Sequence, residues 1–167
     1  LSRSDNQMAA KLGALVGGPE AIKDNCLNDF QLSADNFSLQ STSGLGVNRV
    51  SPRAMITILK GFKDLLQSHK LTLDDALPVA GIDQGTIYRR FEASDLKSFL
   101  VGKTGTLKET DHGASVLVGE MSTLLRGQVL FVIFQRGRNT IQLRMSQNKM
   151  LQGLFCEFGG RGPRYGG

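Results

Sequence analysis

The first part of the chain carries hydrophobic residues at helical spacing. Apolar side chains recur every three to four positions over residues 5–16, and the glycines at 17–18 end the pattern, which predicts a first helix. A second helix is predicted to begin near Pro19. Ser51 supplies a cap and Pro52 a first-turn residue for a third helix.

The pattern changes from helical to extended after about residue 98. Three runs at 99–105, 114–121 and 129–134 have the composition of strands and are separated by turns short enough for hairpins. They predict an antiparallel sheet. The run at 129–134 is apolar on both faces, so we expect helices on both sides of the sheet, one of them a closing helix at about 138–155.

Domain organisation follows from the same patterns. Residues 32–48 are rich in Ser, Asn, Thr and Gly and predict an irregular loop rather than a linker between domains. We therefore expect residues 1–158 to form one structural portion and the glycine- and arginine-rich residues 159–167 to form a flexible tail. The chain has neither an initiator Met nor a leader at its start, which favours a piece of a longer protein.

Composition excludes several classes of function. The net charge of +5 comes mostly from scattered basic residues, which disfavours a nucleic-acid-binding surface. No apolar run approaches the roughly 20 residues that span a bilayer. Cys26 and Cys156 match no metal-ligand spacing, so no metal is expected.

Two short polar motifs stand at the start of the first helix and at the end of the first strand. Ser4-Asp5-Asn6 precedes the first helix, and Lys103-Thr104-Gly105 lies in the first strand of the sheet. Each is weak alone. A hydroxyl and an amide at a helix start, facing an ammonium and the hydroxyls of a strand, would form a polar cleft for a carboxylate and an acyl-transfer intermediate.

The pair resembles a known signature. Ser-Asp-Asn and Lys-Thr-Gly are two of the three motifs of penicillin-binding proteins and class A β-lactamases. The order and context, with Ser43-Gly44-Leu45, Ser51-Pro52 and Gly102-Lys103-Thr104-Gly105-Thr106-Leu107, are most similar to low-molecular-mass D-alanyl-D-alanine carboxypeptidases/endopeptidases with large insertions between motifs. The resemblance implies an α/β (α+β) fold of the β-lactamase/DD-peptidase type, an antiparallel sheet flanked by helices, of which this chain is a partial domain.

The resemblance also implies roles for individual residues. Ser4 would relay protons between the nucleophile and its lysine partner, and Asn6 would position the substrate peptide. Lys103 would supply positive potential. The hydroxyls of Thr104 and Thr106, with Gly105 between them, would bind the terminal carboxylate, and the Thr106 N–H would be an oxyanion donor.

The implied substrate is a peptidoglycan stem peptide, cleaved through an acyl-enzyme, and β-lactams would acylate the same serine. The location would be periplasmic or the cell envelope. The resemblance implies no cofactor.

The family's nucleophilic Ser-x-x-Lys has no counterpart upstream of Ser4. A Ser-x-x-Lys at Ser94–Lys97 lies on the wrong side of the first motif and is disfavoured as the nucleophile. We expect this chain alone to be inactive and to require a missing N-terminal part of the same protein. Strands of that missing part should pair with the sheet. Without them the sheet would have an exposed edge, through which the chain could self-associate.

Several alternatives remain at this level. Ser4 through Gln7 also spells a helix capping box, and Lys103 could be a solvated residue at a strand edge. A nucleotide-binding Gly-x-x-x-x-Gly-Lys-Thr is disfavoured because Lys97 occupies the first glycine position. A β-lactamase and a non-catalytic binding module with the same fold stay open as alternative functions.

Overall fold

The computed structural model describes residues 4–108 and 112–166, and the chain divides into two compact units. One, here called the helical unit, comprises Asp5–Phe62. The other, the sheet unit, comprises the residues up to Ser4 and those from Lys63 onward. No helix within the described ranges is both long and apolar enough for a membrane span.

The helical unit contains the three predicted helices. Its elements are α1 (Asn6–Leu15), α2 (Gly18–Asp29), a 3-10 turn (Ala34–Asn36), β1 (Phe37–Ser38), β2 (Arg49–Val50) and the first part of α3 (Pro52–Ser68). The predicted cap of α3 is confirmed, because the Ser51 hydroxyl accepts a hydrogen bond from the Ala54 N–H at 3.1 Å.

The predicted irregular loop is partly regular. Ser33 caps the 3-10 turn, and Phe37 pairs with Val50 in the two-residue strands β1 and β2. The remainder is held by side chains: the Asn48 amide oxygen accepts from the N–H groups of Gln40 (2.7 Å) and Ser41 (3.0 Å). Asparagine hydrogen-bonds local backbone in this way and so fixes a loop that composition alone describes as irregular.

The sheet unit contains the three predicted strands in the predicted arrangement. Its elements are the end of α3, α4 (Leu73–Ala76), α5 (Tyr88–Phe91), β3 (Leu100–Leu107), β4 (Ala114–Thr123), β5 (Gly127–Arg136) and α6 (Thr140–Glu157). The strands are antiparallel in the order β3-β4-β5. α6 packs on β4 and β5, so the prediction of an antiparallel sheet flanked by helices is confirmed.

The core lies between the sheet and α6. Alternate residues of β4 point to one face of the sheet, where they meet the apolar residues of α6. The residues of this cluster are Ala80, Ile87, Phe91, Leu96, Phe99, Leu100, Leu117, Met121, Phe131, Leu151 and Phe155. β5 is an outer strand, and apart from Phe131 its apolar residues are only partly buried, so the expected cover on both faces is incomplete.

The segment predicted to be a flexible tail packs on the sheet unit instead. Gly159 and Gly160 have φ of 84° and 72°, and Gly160 N–H donates to the Phe155 carbonyl at 2.7 Å, which ends α6 and turns the chain back. Arg161 then pairs with Thr123, and the side chain of Tyr165 is buried. The glycines therefore make a tight turn, and the buried tyrosine anchors the end of the segment.

Candidate active site

The candidate site lies along the outer edge of β3. The Gly102 N–H donates to the Pro78 carbonyl at 3.1 Å, and the Leu100 carbonyl accepts from Ala80 N–H at 2.8 Å. Backbone groups of alternate residues in a strand point to the same side. The N–H and C=O groups of Thr104 and Thr106 therefore also point away from β4. They lie further along β3 than the part that residues 78–80 cover.

Lys103 lies at this edge and contacts Ser4. Its Nζ donates to the Ser4 hydroxyl oxygen at 2.8 Å and to the Thr104 carbonyl at 2.6 Å. Lys103 is half-buried, and burial lowers the pKa of its ammonium below the ordinary lysine value. Both hydrogen-bond partners are neutral oxygens, so the positive charge is available to a ligand.

The backbone of Ser4 has a conformation that serine rarely adopts. Its φ is 54°, in the left-handed region, which costs about 1–3 kcal/mol for a residue other than glycine. The helix cap belongs to the next residue: Asp5 accepts from the Met8 N–H at 2.9 Å, and α1 begins at Asn6. The alternative in which Ser4 caps the helix is therefore wrong, and the Ser4 hydroxyl is free of that role.

Thr104 and Thr106 present their side chains on the α6 face of β3, and Gly105 lies between them. A Cβ added to Gly105 would meet only Val116, at 3.6 Å, which is ordinary contact. Nothing in the described part of the chain therefore requires glycine at this exposed position, and the bare backbone leaves room for a ligand.

The Thr106 hydroxyl already has one partner that the sequence did not predict. Arg144 of α6, an exposed residue, donates from Nη2 to Thr106 Oγ1 at 2.9 Å. Periodicity places Arg144 on a helix, but no sequence signal shows which strand residue lies opposite it. That pairing depends on the tertiary register of α6 on the sheet.

Asn6 is the first residue of α1 and belongs to the helical unit, whereas Ser4 belongs to the sheet unit. The role assigned to Asn6 stays a prediction. The shared cleft that the two motifs were expected to form also stays a prediction.

The Ser-x-x-Lys at residues 94–97 does not form a nucleophile–base pair. The Ser94 hydroxyl accepts from the Leu96 N–H and from the Gln152 amide, both at 3.2 Å. Lys97 is exposed and contacts Ser94 through its backbone N–H, which donates to the Ser94 carbonyl at 3.0 Å, rather than through its ammonium. Both residues line a small cavity with Arg161 and Arg164. Within residues 4–108 and 112–166, no group of three or more His, Cys, Asp or Glu side chains is placed to hold a metal ion.

Comparison with known protein families finds one match. The sequence profile of the D-Ala-D-Ala carboxypeptidase 3 (S13) family matches residues 1–154. No curated protein matches the sequence significantly.

Solved structures share the fold. Bd3459, a predatory endopeptidase from Bdellovibrio bacteriovorus solved with the immunity protein Bd3460, superposes with a TM-score of 0.87 at 21% identity, over 97% of this chain and 43% of its own. Bd0816, a predatory endopeptidase of the same bacterium, gives 0.85 at 21% over 97% and 43%. The penicillin G-acylated form of Bd3459 gives 0.86 at 22% over 98% and 45%.

This chain spans less than half the length of those structures. At such identities the likeness shows the fold, an α/β arrangement with an antiparallel sheet and flanking helices. The family profile covers most of the chain and includes both polar motifs. The chain therefore belongs to the D-Ala-D-Ala carboxypeptidase 3 (S13) family.

Proposed function

We propose that this chain forms the substrate-binding part of a serine-type D-Ala-D-Ala carboxypeptidase that acts on peptidoglycan stem peptides through an acyl-enzyme. The observation that carries the proposal is the contact between the Ser4 hydroxyl and the Lys103 ammonium at the open edge of β3. Membership of the S13 family and the penicillin-acylated neighbour support the same chemistry.

The contacts of Lys103 indicate how its positive charge at the edge of β3 would act in the reaction. Lys103 would polarise the Ser4 hydroxyl and raise the positive potential, so that Ser4 could pass a proton to the leaving amine. Asn6 would hold the peptide, and the hydroxyls of Thr104 and Thr106 would bind its terminal carboxylate. The Thr106 N–H, directed away from β4, would be one oxyanion donor, a contribution of about 3–4 kcal/mol in comparable sites.

The nucleophile is proposed to lie outside these 167 residues. Among the described residues the Ser94 hydroxyl contacts the Leu96 N–H and the Gln152 amide, and no lysine ammonium donates to it. On this proposal the chain alone is not acylated, and the remaining part of the same protein supplies a Ser-x-x-Lys. An enzyme acting on stem peptides would work in the periplasm or cell envelope.

An endopeptidase is the second candidate, because the similar Bd3459 and Bd0816 structures are both endopeptidases. A carboxypeptidase removes the last D-alanine of a free stem, whereas an endopeptidase cleaves a cross-link between two stems. The two reactions need the same nucleophile and differ in what lies beyond the scissile bond.

The test uses the full-length protein, meaning this chain with all sequence translated with it. We expect fluorescent penicillin to label it covalently, and we expect release of D-alanine from a pentapeptide stem to exceed cleavage of a cross-linked dimer. Replacing Ser94 with Ala should leave labelling unchanged. A full-length protein that neither labels nor cleaves either peptide would sink the proposal, and faster dimer cleavage would replace carboxypeptidase with endopeptidase.

A further inference from the structure

The Thr106 hydroxyl and the Arg144 guanidinium lie side by side, and each has hydrogen-bond donors that their mutual contact does not use. Thr106 Oγ1 accepts the 2.9 Å hydrogen bond from Arg144 Nη2, so the hydroxyl proton is free to donate to another acceptor. A guanidinium has five N–H donors, and this contact uses one of them. Two adjacent donors, one of them charged, match the two oxygens of a carboxylate.

Arg144 is held opposite Thr106 by a buried contact one helical turn later. Ser115 is the cross-strand neighbour of Thr106, and the fully buried Gln147 amide donates to the Ser115 carbonyl at 2.9 Å. Residues three apart on a helix lie on the same side. Anchoring Gln147 over Ser115 therefore places Arg144 beside Thr106.

A second guanidinium strengthens this anchor and adds charge. Arg90 donates to Gln147 Oε1 at 2.7 Å, to Asn148 Oδ1 at 2.5 Å and to the Arg144 carbonyl at 3.2 Å. All three acceptors are neutral. Burial, and then the nearby charge of Arg144, lower the pKa of Arg90 to about 10.

Among the described residues this region is cationic, because no carboxylate there forms an ion pair with Arg90 or Arg144. Such a cluster raises the local concentration of anions. Arg144 is the exposed member of this cluster, so a ligand could contact it directly.

We propose that Arg144, together with the Thr106 hydroxyl, binds the terminal carboxylate of the ligand and gives the site its preference for a free C-terminus. This inference rests on the proposed function for the identity of the ligand. It adds a specificity-determining residue, contributed by α6, to the strand residues that the motif identifies.

Equilibrium binding separates this inference from catalysis. The probe is the ketomethylene isostere of N-acetyl-D-Ala-D-Ala, in which CH2 replaces the scissile N–H so that the enzyme cannot hydrolyse it, titrated calorimetrically into the full-length protein as the free acid and as the C-terminal amide. We expect wild-type protein to prefer the acid, and Arg144→Gln to reduce that preference about tenfold or more while the affinity for the amide stays the same. Arg144→Lys should be intermediate, because lysine keeps the charge but lacks the planar pair of donors.

Lys149→Gln is the matched control. It removes the same charge from an exposed position of α6, and we expect it to leave the acid preference intact. Equal binding of acid and amide to the wild type, or an acid preference that survives Arg144→Gln, would overturn the inference. Labelling by penicillin is a separate measurement: a protein that fails to label but loses its acid preference in Arg144→Gln would remove the proposed peptidase and keep the carboxylate site.

Discussion

Two lysines of the sheet unit differ in the charge of their hydrogen-bond partners. Lys63 donates to the carboxylate of Glu120, which is 1% exposed, and to Gln128 Oε1 at 2.8 Å. Among the described residues, Lys103 donates to neutral oxygens, those of Ser4 and Thr104. The first lysine is neutralised inside the protein, whereas the second keeps its charge at an open strand edge.

The presence or absence of an acidic partner distinguishes polar groups that stabilise the fold from those that can bind an anionic ligand. Tyr165 completes the first cluster by donating to Glu120 Oε1 at 2.7 Å, and burial followed by this carboxylate raises the pKa of its phenol. Buried charges need such partners to avoid a large desolvation cost. Because the second cluster has no acidic partner among the described residues, an incoming anion would complete it.

Replacing Lys103 should produce the largest effect. We expect Lys103→Met in the full-length protein to lower the rate constant for acylation by penicillin at least about a hundredfold, because the charge opposite the reacting group is lost. The free energy of unfolding should change by less than about 0.5 kcal/mol, since no buried ion pair is broken. Gel-based labelling over time and urea unfolding followed by circular dichroism measure the two quantities.

Lys97→Met is the control for this substitution, because it removes an exposed lysine that lines a different cavity. It should label at the wild-type rate. Equal labelling of the two variants would remove the β3 edge from the chemistry.

The next effect concerns the neutralised cluster. Tyr165→Phe removes one donor from the buried carboxylate of Glu120 and should lower the free energy of unfolding by about 1–3 kcal/mol, with little change in labelling by penicillin. Arg161→Gln breaks an ion pair with Asp95 whose side chains are 66% and 71% exposed, and it should cost at most about 0.5 kcal/mol. A Tyr165→Phe protein as stable as Arg161→Gln would contradict the assignment of the C-terminal segment as part of the packed unit.

Sequence patterns predicted most of the regular structure. Apolar periodicity predicted the helix at residues 5–16, and runs of strand composition predicted the three strands. The helix at about 138–155 was expected as a cover for the sheet, and α6 packs on β4 and β5 there. The packing of the C-terminal segment on the sheet unit was not predicted, because its glycines were interpreted by composition. Its position depends on one tyrosine that reaches a carboxylate in a strand 45 residues away in the sequence.

The candidate site was predictable only where a motif marks it. The strand motif indicated Lys103 and Thr106, and the structure brings Lys103 to Ser4. Arg144 had no such signal, since its contact with Thr106 depends on how Gln147 seats α6 on the sheet. The sequence also did not distinguish Ser4 from Asp5 as the helix cap, because both side chains accept hydrogen bonds from the first turn.

The smallest expected effect is a shift in pH dependence. Burial lowers the pKa of Lys103, so its positive charge should be lost on raising the pH at lower values than for a free lysine. The rate constant for acylation should therefore fall along a basic limb that Lys103→Arg moves to higher pH, since arginine stays protonated. Stability should change in the opposite direction, rising with pH. Below the pKa of Lys103 in the folded protein, burial of the protonated side chain lowers the free energy of unfolding, and this loss disappears as the pH rises from the folded to the unfolded pKa. Labelling rates measured from neutral to strongly basic pH test the limb, and a limb at the same pH in both proteins would assign it to another group.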